Sequence, residues 1–233
     1  IAIEHLQNEL DSVLYLDAGV ICKGSLAIFN TFDFGTNGVA AVQDMYFTRE
    51  DAARRFKEDE FNLHYFNSGV LFLNLSYWKE QLLTSKFLTY VEDKNNHPLL
   101  SCPDQDILNL LFLKKVIWLD KGYNTIYSIV ANEFLNKGKE YYKTIITDNT
   151  RLIHYTDSVK PWFTYAQSFE CNHYFAELYQ KSKILQSHPL NDAIPLLVYK
   201  FQAKLSLKQG RLINSLKNYS IYRVKKLKKR FKM

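Results

Sequence analysis

The chain has few cysteines, no long apolar run, and no acid beyond Asp192. Cys22, Cys102 and Cys171 are its only cysteines, and no two form a CxxC pair. Such spacing argues against a cysteine zinc site and fits a reduced, cytoplasmic chain in which thiols fill space. No stretch approaches the roughly 18 consecutive apolar residues of a membrane-spanning helix. The opening Ile1–Asp11 carries Glu4, Glu9 and Asp11 and no basic start, unlike a secretory signal. No nucleic-acid-binding motif accompanies the basic residues, so nucleic acid is not an expected partner.

What is present is a globular body with a basic end. The chain has 233 residues, 47% hydrophobic and 15% aromatic, enough for a real core. Residues 193–233 hold 12 of the 30 basic residues, leaving 18 against 24 acidic residues before them, a net of −6. An acidic body (1–192) and a basic tail (193–233) are therefore expected. At helical periodicity Leu212, Ile213, Leu216, Tyr219, Val224, Leu227 and Phe231 share an arc of about 140°. Most of the tail's lysines fall outside it, although Arg223 and Arg230 intrude. A basic amphipathic helix of this kind suits an anionic membrane surface. The competing reading is a packed terminal helix with a charged end.

Strand-like runs (Val13–Asp17, Val39–Val42, Gly69–Leu75, Val116–Leu119, Arg151–Tyr155) alternate with helix-like ones. The latter are Ser25–Asn30, Ser76–Lys94, Pro103–Phe112, Ala131–Asn136 and Asn172–Ser182. Alternation of this type predicts an α/β fold. Arg49–Lys57 reads as a solvated helix.

Four blocks carry chemistry. In Val13-Leu14-Tyr15-Leu16-Asp17-Ala18 an apolar strand stops on a carboxylate. An unpaired buried acid is costly, so Asp17 is expected at a strand tip facing a cleft, where α/β folds bind ligands. A helix cap is the plain alternative. Asn67, Ser68 and Gly69 make a small polar turn where a ligand can approach the backbone. In Cys102–Asn109, Asp104 suits a helix start, and Asp104, Gln105 and Asp106 together can hold sugar hydroxyls. In Leu152–Trp162 a strand ends on His154, a plausible metal ligand, six residues before Lys160, a cation suited to phosphate.

Tyr-Leu-Asp-Ala, Tyr-Phe-Asn-Ser-Gly-Val-Leu-Phe-Leu-Asn, Asp-Gln-Asp-Ile-Leu-Asn and His-Tyr followed by Lys-Pro-Trp, in this order, resemble glycosyltransferase family 8. Gly122-Tyr123-Asn124-Thr125 and the basic tail are similar to the enterobacterial lipopolysaccharide core glucosyl- and galactosyltransferases of that family. The resemblance implies a single GT-A-type α/β nucleotide-sugar domain. It also implies retaining transfer of glucose or galactose from UDP-glucose or UDP-galactose to the lipopolysaccharide core. Residue by residue, it implies donor contacts at Asp17, Ala18, Asn67, Ser68, Asp104, Gln105 and Lys160. Gln105 falls near the anomeric centre and Asp104 on the sugar hydroxyls. It implies Mg²⁺ or Mn²⁺ held by Asp17 and His154, and a peripheral location on the cytoplasmic face of the bacterial inner membrane.

Three departures qualify this. Gly19 stands where the second acid of the family's Asp-x-Asp motif belongs. Asp157 replaces a glycine; either it substitutes for the lost ligand or both changes mark decay. The resemblance places an N-terminal nucleotide-binding portion before Asp17 that this sequence does not contain, the expectation being either a fragment or a truncated gene product. That would leave Leu14, Val39 and Val70 without sheet neighbours and make a truncated remnant or glycan-binding module the alternative function.

Overall fold

In a computed structural model, residues 2–129, 141–156 and 159–231 are described. The expected Ala131–Asn136 helix, and Asp157, lie outside them. The chain divides into two compact units: 1–125 with 149–154, and 126–148 with 155–233.

The first unit begins with the short helix α1 (Ala2–Leu6) and strand β1 (Ser12–Leu16). A tight turn leads to β2 (Val20–Cys22), followed by β3 (Val39–Gln43), helix α2 (Tyr46–Phe56) and β4 (Phe66–Asn74). Helices α3 (Leu75–Glu80), α4 (Leu83–Glu92) and α5 (Pro103–Leu111) precede β5 (Val116–Trp118). The chain leaves this unit within β6 (Thr125–Tyr127) and last leaves it within β7 (Leu152–Tyr155).

Four strands form one sheet in the order β1-β4-β3-β5. β1 and β3 run antiparallel to β4, and β5 runs parallel to β3. Val39, Ala41, Phe66, Leu71, Leu73, Leu75, Trp78, Leu83 and Phe112 make its core. The nearly continuous apolar run of β4 reflects its central position, buried on both faces. Val39 and Val70 are fully buried, contrary to the expectation that they would lack neighbours, whereas Leu14 lies on β1, an edge of this sheet that pairs on the β4 side alone. β3 is flanked by β4 and β5, and β4 by β1 and β3.

Two helical expectations are revised. The single helix expected over Ser76–Lys94 is broken at Leu82, whose φ of 53° is left-handed. The break lets Leu75, Trp78 and Leu83 all reach the core, and the Trp78 indole donates to Thr84 Oγ1 at 2.9 Å. The expected solvated helix near Arg49–Lys57 is α2, and one of its faces is not solvated. Ala52 and Ala53 are buried, and Arg55 is held inside an ion pair. The short β2 and β6 were not expected; three residues leave little periodicity to read.

In the second unit Tyr127 and Tyr155 pack edge to face, ring centroids 5.7 Å apart. A helix at His173–Lys181 follows. Two tail helices, Leu196–Lys208 and Leu212–Phe231, pack along each other as a hairpin. Gly210 turns between them at φ 71°, where a side chain would be strained. The second tail helix turns Ser215, Asn218, Ile221 and Tyr222 inward. At about 100° per residue this is roughly the opposite face from the apolar arc. Ile213, Leu216, Val224 and Phe231 on that arc are exposed. The terminal helix is packed on one face and leaves the apolar arc exposed. Among the described residues no helix is long and apolar enough to cross a membrane.

Candidate active site

The site lies in the first unit, where two strand ends meet. β1 stops at Leu16, and the Asp17 amide extends the ladder by one bond, donating to the Gly69 carbonyl at 2.8 Å. The chain then turns, with the Val20 amide donating to Asp17 O at 3.0 Å, and enters β2. β2 pairs with β7 so that Val20 faces His154. Asp17, at the tip of β1, thereby meets His154, 137 positions away, with Nε2 and Oδ2 3.3 Å apart. The other carboxylate oxygen, Oδ1, accepts from the Ala18 amide at 2.7 Å, which aims Oδ2 at the ring.

Gly69 gives the ring its seat. A Cβ added there would stand 2.0 Å from His154 Cε1 and 2.5 Å from Nδ1. The glycine read as room for a ligand is room for the imidazole.

From His154 a chain of polar side chains runs beneath the surface. Its Nδ1 meets Asn124 Oδ1 at 3.1 Å, and Asn124 Nδ2 donates to Asn67 Oδ1 at 3.0 Å. Asn67 Nδ2 reaches Asp44 Oδ2 at 3.4 Å, and Gln105 Nε2 donates to the same oxygen at 2.7 Å. Gln105 Oε1 accepts from the Ser68 amide at 2.9 Å, and Ser68 Oγ donates to Asp104 Oδ2 at 3.3 Å. Asp44, Asn67, Gln105, Asn124 and His154 are buried. Asp104 is exposed, and Asp17 and Ser68 are partly so, which leaves these three to face an incoming molecule. Tyr15 lies among them: burial, then the charges of Asp17 and Asp104, push its hydroxyl above its ordinary pKa. Ser68 and Asp104 also line a cavity of about 410 Å³, walled by Leu71, Leu73, Trp78, Phe87 and Leu108.

The structure thus brings together Asp17, Ala18, Asn67, Ser68, Asp104, Gln105 and His154. It separates Asp106 from them. That side chain is fully buried, paired with Arg55 at 2.9 Å, and accepts from the Tyr65 hydroxyl and the Ser101 and Cys102 amides. It is an anchor for the start of α5, not a sugar ligand. Burial, then the nearby carboxylates led by Asp106, raises the Cys102 thiol pKa. Lys160 belongs to the second unit, where its Nζ donates to the Tyr155 carbonyl at 2.7 Å. Sequence reading missed Asp44, although the signal was the one that singled out Asp17: an apolar strand, Val39–Gln43, ending on an acid.

A divalent cation fits the Asp17–His154 pair. Ligands at about 2.1 Å and a right angle around one ion lie about 3 Å apart. A carboxylate and an imidazole are both accepted by such ions. Among the described residues no third His, Cys, Asp or Glu joins them. An ion held there would draw further ligands from phosphate oxygens and water. Gly19, where a third protein ligand was expected, is buried in the turn after Asp17.

Comparison with known proteins follows the same lines. The chain is 37% identical over 226 residues to an Escherichia coli lipopolysaccharide 1,2-glucosyltransferase, covering 97% of this chain and 66% of the relative. A second relative of that name, from strain K12, is 40% identical over 71% of this chain and 48% of its own length. The chain thus spans two thirds or less of the curated relatives it matches. Among solved structures, the galactosyltransferase LgtC with donor and acceptor sugar analogues aligns at a TM-score of 0.58 and 23% identity. That alignment covers 86% of this chain and 69% of the other. The fold is therefore of the kind LgtC has, a mixed α/β transferase fold. The profile described as Glycosyl transferase family 8 matches residues 1–166, and the chain belongs to that family.

Proposed function

We propose that the protein transfers glucose or galactose, with retention, from UDP-glucose or UDP-galactose to a lipopolysaccharide core sugar. The observation that carries this is the convergence of the Asp17–His154 pair with the Ser68–Asp104–Gln105 row in one unit. A carboxylate, a hydroxyl and an amide in a row offer acceptors and a donor for several sugar hydroxyls. Asp17 and His154 would hold Mg²⁺ or Mn²⁺, which when bound neutralises charge developing on the departing nucleoside diphosphate. Lys160 is assigned to the diphosphate by its place in the His-Tyr…Lys-Pro-Trp segment, as a compact cation suited to phosphate. Asp104 would hold sugar hydroxyls. Gln105, fixed at both ends of its amide, would present one face to the anomeric centre.

The test is UDP release from each donor in the presence of Mn²⁺ and a core oligosaccharide. Wild-type protein is expected to release UDP only with metal, and Asp17→Ala to lose about a hundredfold or more, as when a transition-state charge partner is removed. Binding of core glycan without UDP release would instead favour a non-catalytic, glycan-binding remnant, the reading that Gly19 in place of an acid favours.

We assign the tail hairpin to the cytoplasmic face of the inner membrane, as a peripheral anchor. Exposed apolar side chains on one arc and 12 cations without an acid over residues 193–233 support this. Each cation adds about 1 kcal/mol near an anionic surface. Removing residues 211–233 is expected to abolish salt-sensitive binding to phosphatidylglycerol vesicles in flotation assays; undiminished binding would defeat the assignment.

A further inference from the structure

We infer that Asn124 is a positioning residue that fixes the proton of His154 on Nδ1, through a one-way chain of amides anchored on Asp44. The direction of that chain follows from groups that cannot reverse. The Gly69 backbone N–H can only donate, and it donates to Asn67 Oδ1 at 3.0 Å. The Asn67 amide is thereby oriented, with Nδ2 toward the Asp44 carboxylate at 3.4 Å, a group that only accepts when ionised. Asn67 Oδ1 has a second visitor, Asn124 Nδ2 at 3.0 Å. An oxygen there demands a donor, so Asn124 turns its own Oδ1 to His154 Nδ1 at 3.1 Å. A carbonyl oxygen demands a proton from that nitrogen. On a neutral ring the proton is then on Nδ1, and the lone pair is on Nε2, aimed at Asp17 Oδ2 3.3 Å away.

Two acceptors facing each other at that distance are bridged by a proton or by a metal cation, and on the neutral ring the nitrogen facing Asp17 is the one that can take a metal without a tautomer change or ring flip. A ligand histidine whose second nitrogen is held this way gains about 10- to 100-fold in metal affinity over one whose partner is removed. The turn that carries Asn124 is pinned at Gly122. Asp120 Oδ1 accepts from the Gly122 amide at 2.8 Å, and the Arg151 amide donates to Gly122 O at 2.8 Å. This linkage ties the Lys121–Asn124 turn to the residues entering β7. The Asp44 carboxylate meanwhile orients Gln105 in the same way, so one buried acid sets the sense of two hydrogen-bond chains.

The inference rests on reading Asp17–His154 as a cation site, but its test does not depend on turnover. The protein has six histidines, so the His154 ring signals in ¹⁵N–¹H correlation spectra are assigned by their loss in His154→Gln. Neutral wild-type His154 is expected to show the Nδ1–H tautomer. Asn124→Asp keeps an acceptor toward Nδ1 and should retain that tautomer, while losing the donor to Asn67 Oδ1. Asn124→Leu should lose the Nδ1–H tautomer in favour of Nε2–H; Asn124→Ala gives the same readout should Asn124→Leu fail to fold. In titrations with Mn²⁺ and UDP, the Leu and Ala substitutions should weaken Mn²⁺ about 10- to 100-fold. An Nε2–H tautomer in the wild type, or an Nδ1–H tautomer that survives loss of the acceptor, overturns the inference. Absence of Mn²⁺ binding in the wild type overturns the cation reading of the site, while the tautomer measurement still decides the role of Asn124.

Discussion

Replacing Asp106 with alanine is expected to lower the melting temperature by about 10 °C. Arg55 would be left largely buried with its principal charge partner gone, since the Arg55 side chain is only 14% exposed and Asp106 is 0% exposed. Breaking a buried pair from one side costs about 3–5 kcal/mol. In a chain of this size each kcal/mol moves the melting point by about 2–4 °C. Burial opposes the charge on Arg55, but the hydrogen bonds it donates to Asp106 and Asp51 and their charges outweigh it and hold its pKa above the ordinary value. The carboxylate does more than pair. It accepts from the Ser101 and Cys102 amides at 2.8 and 2.9 Å and from the Tyr65 hydroxyl at 2.6 Å, and Arg55 also donates to the Leu99 carbonyl. Those bonds hold the loop that leads into α5 and set the rotation of α5, which points Gln105 at Asp44. The double replacement Asp106→Leu with Arg55→Met should recover part of the loss, the shortfall being the Ser101 and Cys102 amides, the Tyr65 hydroxyl and the Leu99 carbonyl left without these partners. A melting point within 2–3 °C of wild type for Asp106→Ala would show that the pair does not anchor the helix.

The second large effect is expected from a single methyl group. Gly69→Ala places a carbon 2.0 Å from the His154 ring, where no real contact survives. The ring must leave, or β4 must bend, and overpacking of this kind costs about 1–3 kcal/mol. With the ring displaced, Asp17 loses its partner and Mn²⁺ affinity should fall at least tenfold, as for loss of a ligand's support. A double-mutant cycle isolates the cause. In a His154→Ala background the added methyl has room, so Gly69→Ala should cost much less there. An equal cost in both backgrounds would mean that β4, and not the ring, resists the substitution.

Much of this was legible in the residues. Strands β1, β3, β4, β5 and β7 announce themselves by apolar runs, and α5 by Pro103 with acids in its first turn. Asp17, Ser68, Asp104, Gln105 and His154 were each visible as polar residues at the ends of such runs. What escaped reading was of two kinds. The short β2 and β6 have no long apolar run of their own to mark them, yet β2 is what carries His154 to Asp17. Roles set by distant partners also escaped. Asp106 follows the same local pattern as Asp104, and only the approach of Arg55 from α2, 51 positions away, makes one an anchor and the other a surface acid. Asp44 and Asn124 belong to the same class, since no local pattern says which amide a carboxylate will orient.

The chain of amides beneath the site has one more consequence. An asparagine and an aspartate have the same outline, as do a glutamine and a glutamate, so a map of shape alone would call such exchanges silent. Here they are not. Gln105→Glu would set a second carboxylate against Asp44 across 2.7 Å, and Asn67→Asp would do so across 3.4 Å. Either pair would have to retain a proton or separate. The site stores information in the sense of its bonds as well as in its contours. Spontaneous deamidation, which swaps one nitrogen for one oxygen, would therefore act on this pocket as a misprint of meaning with the spelling almost unchanged.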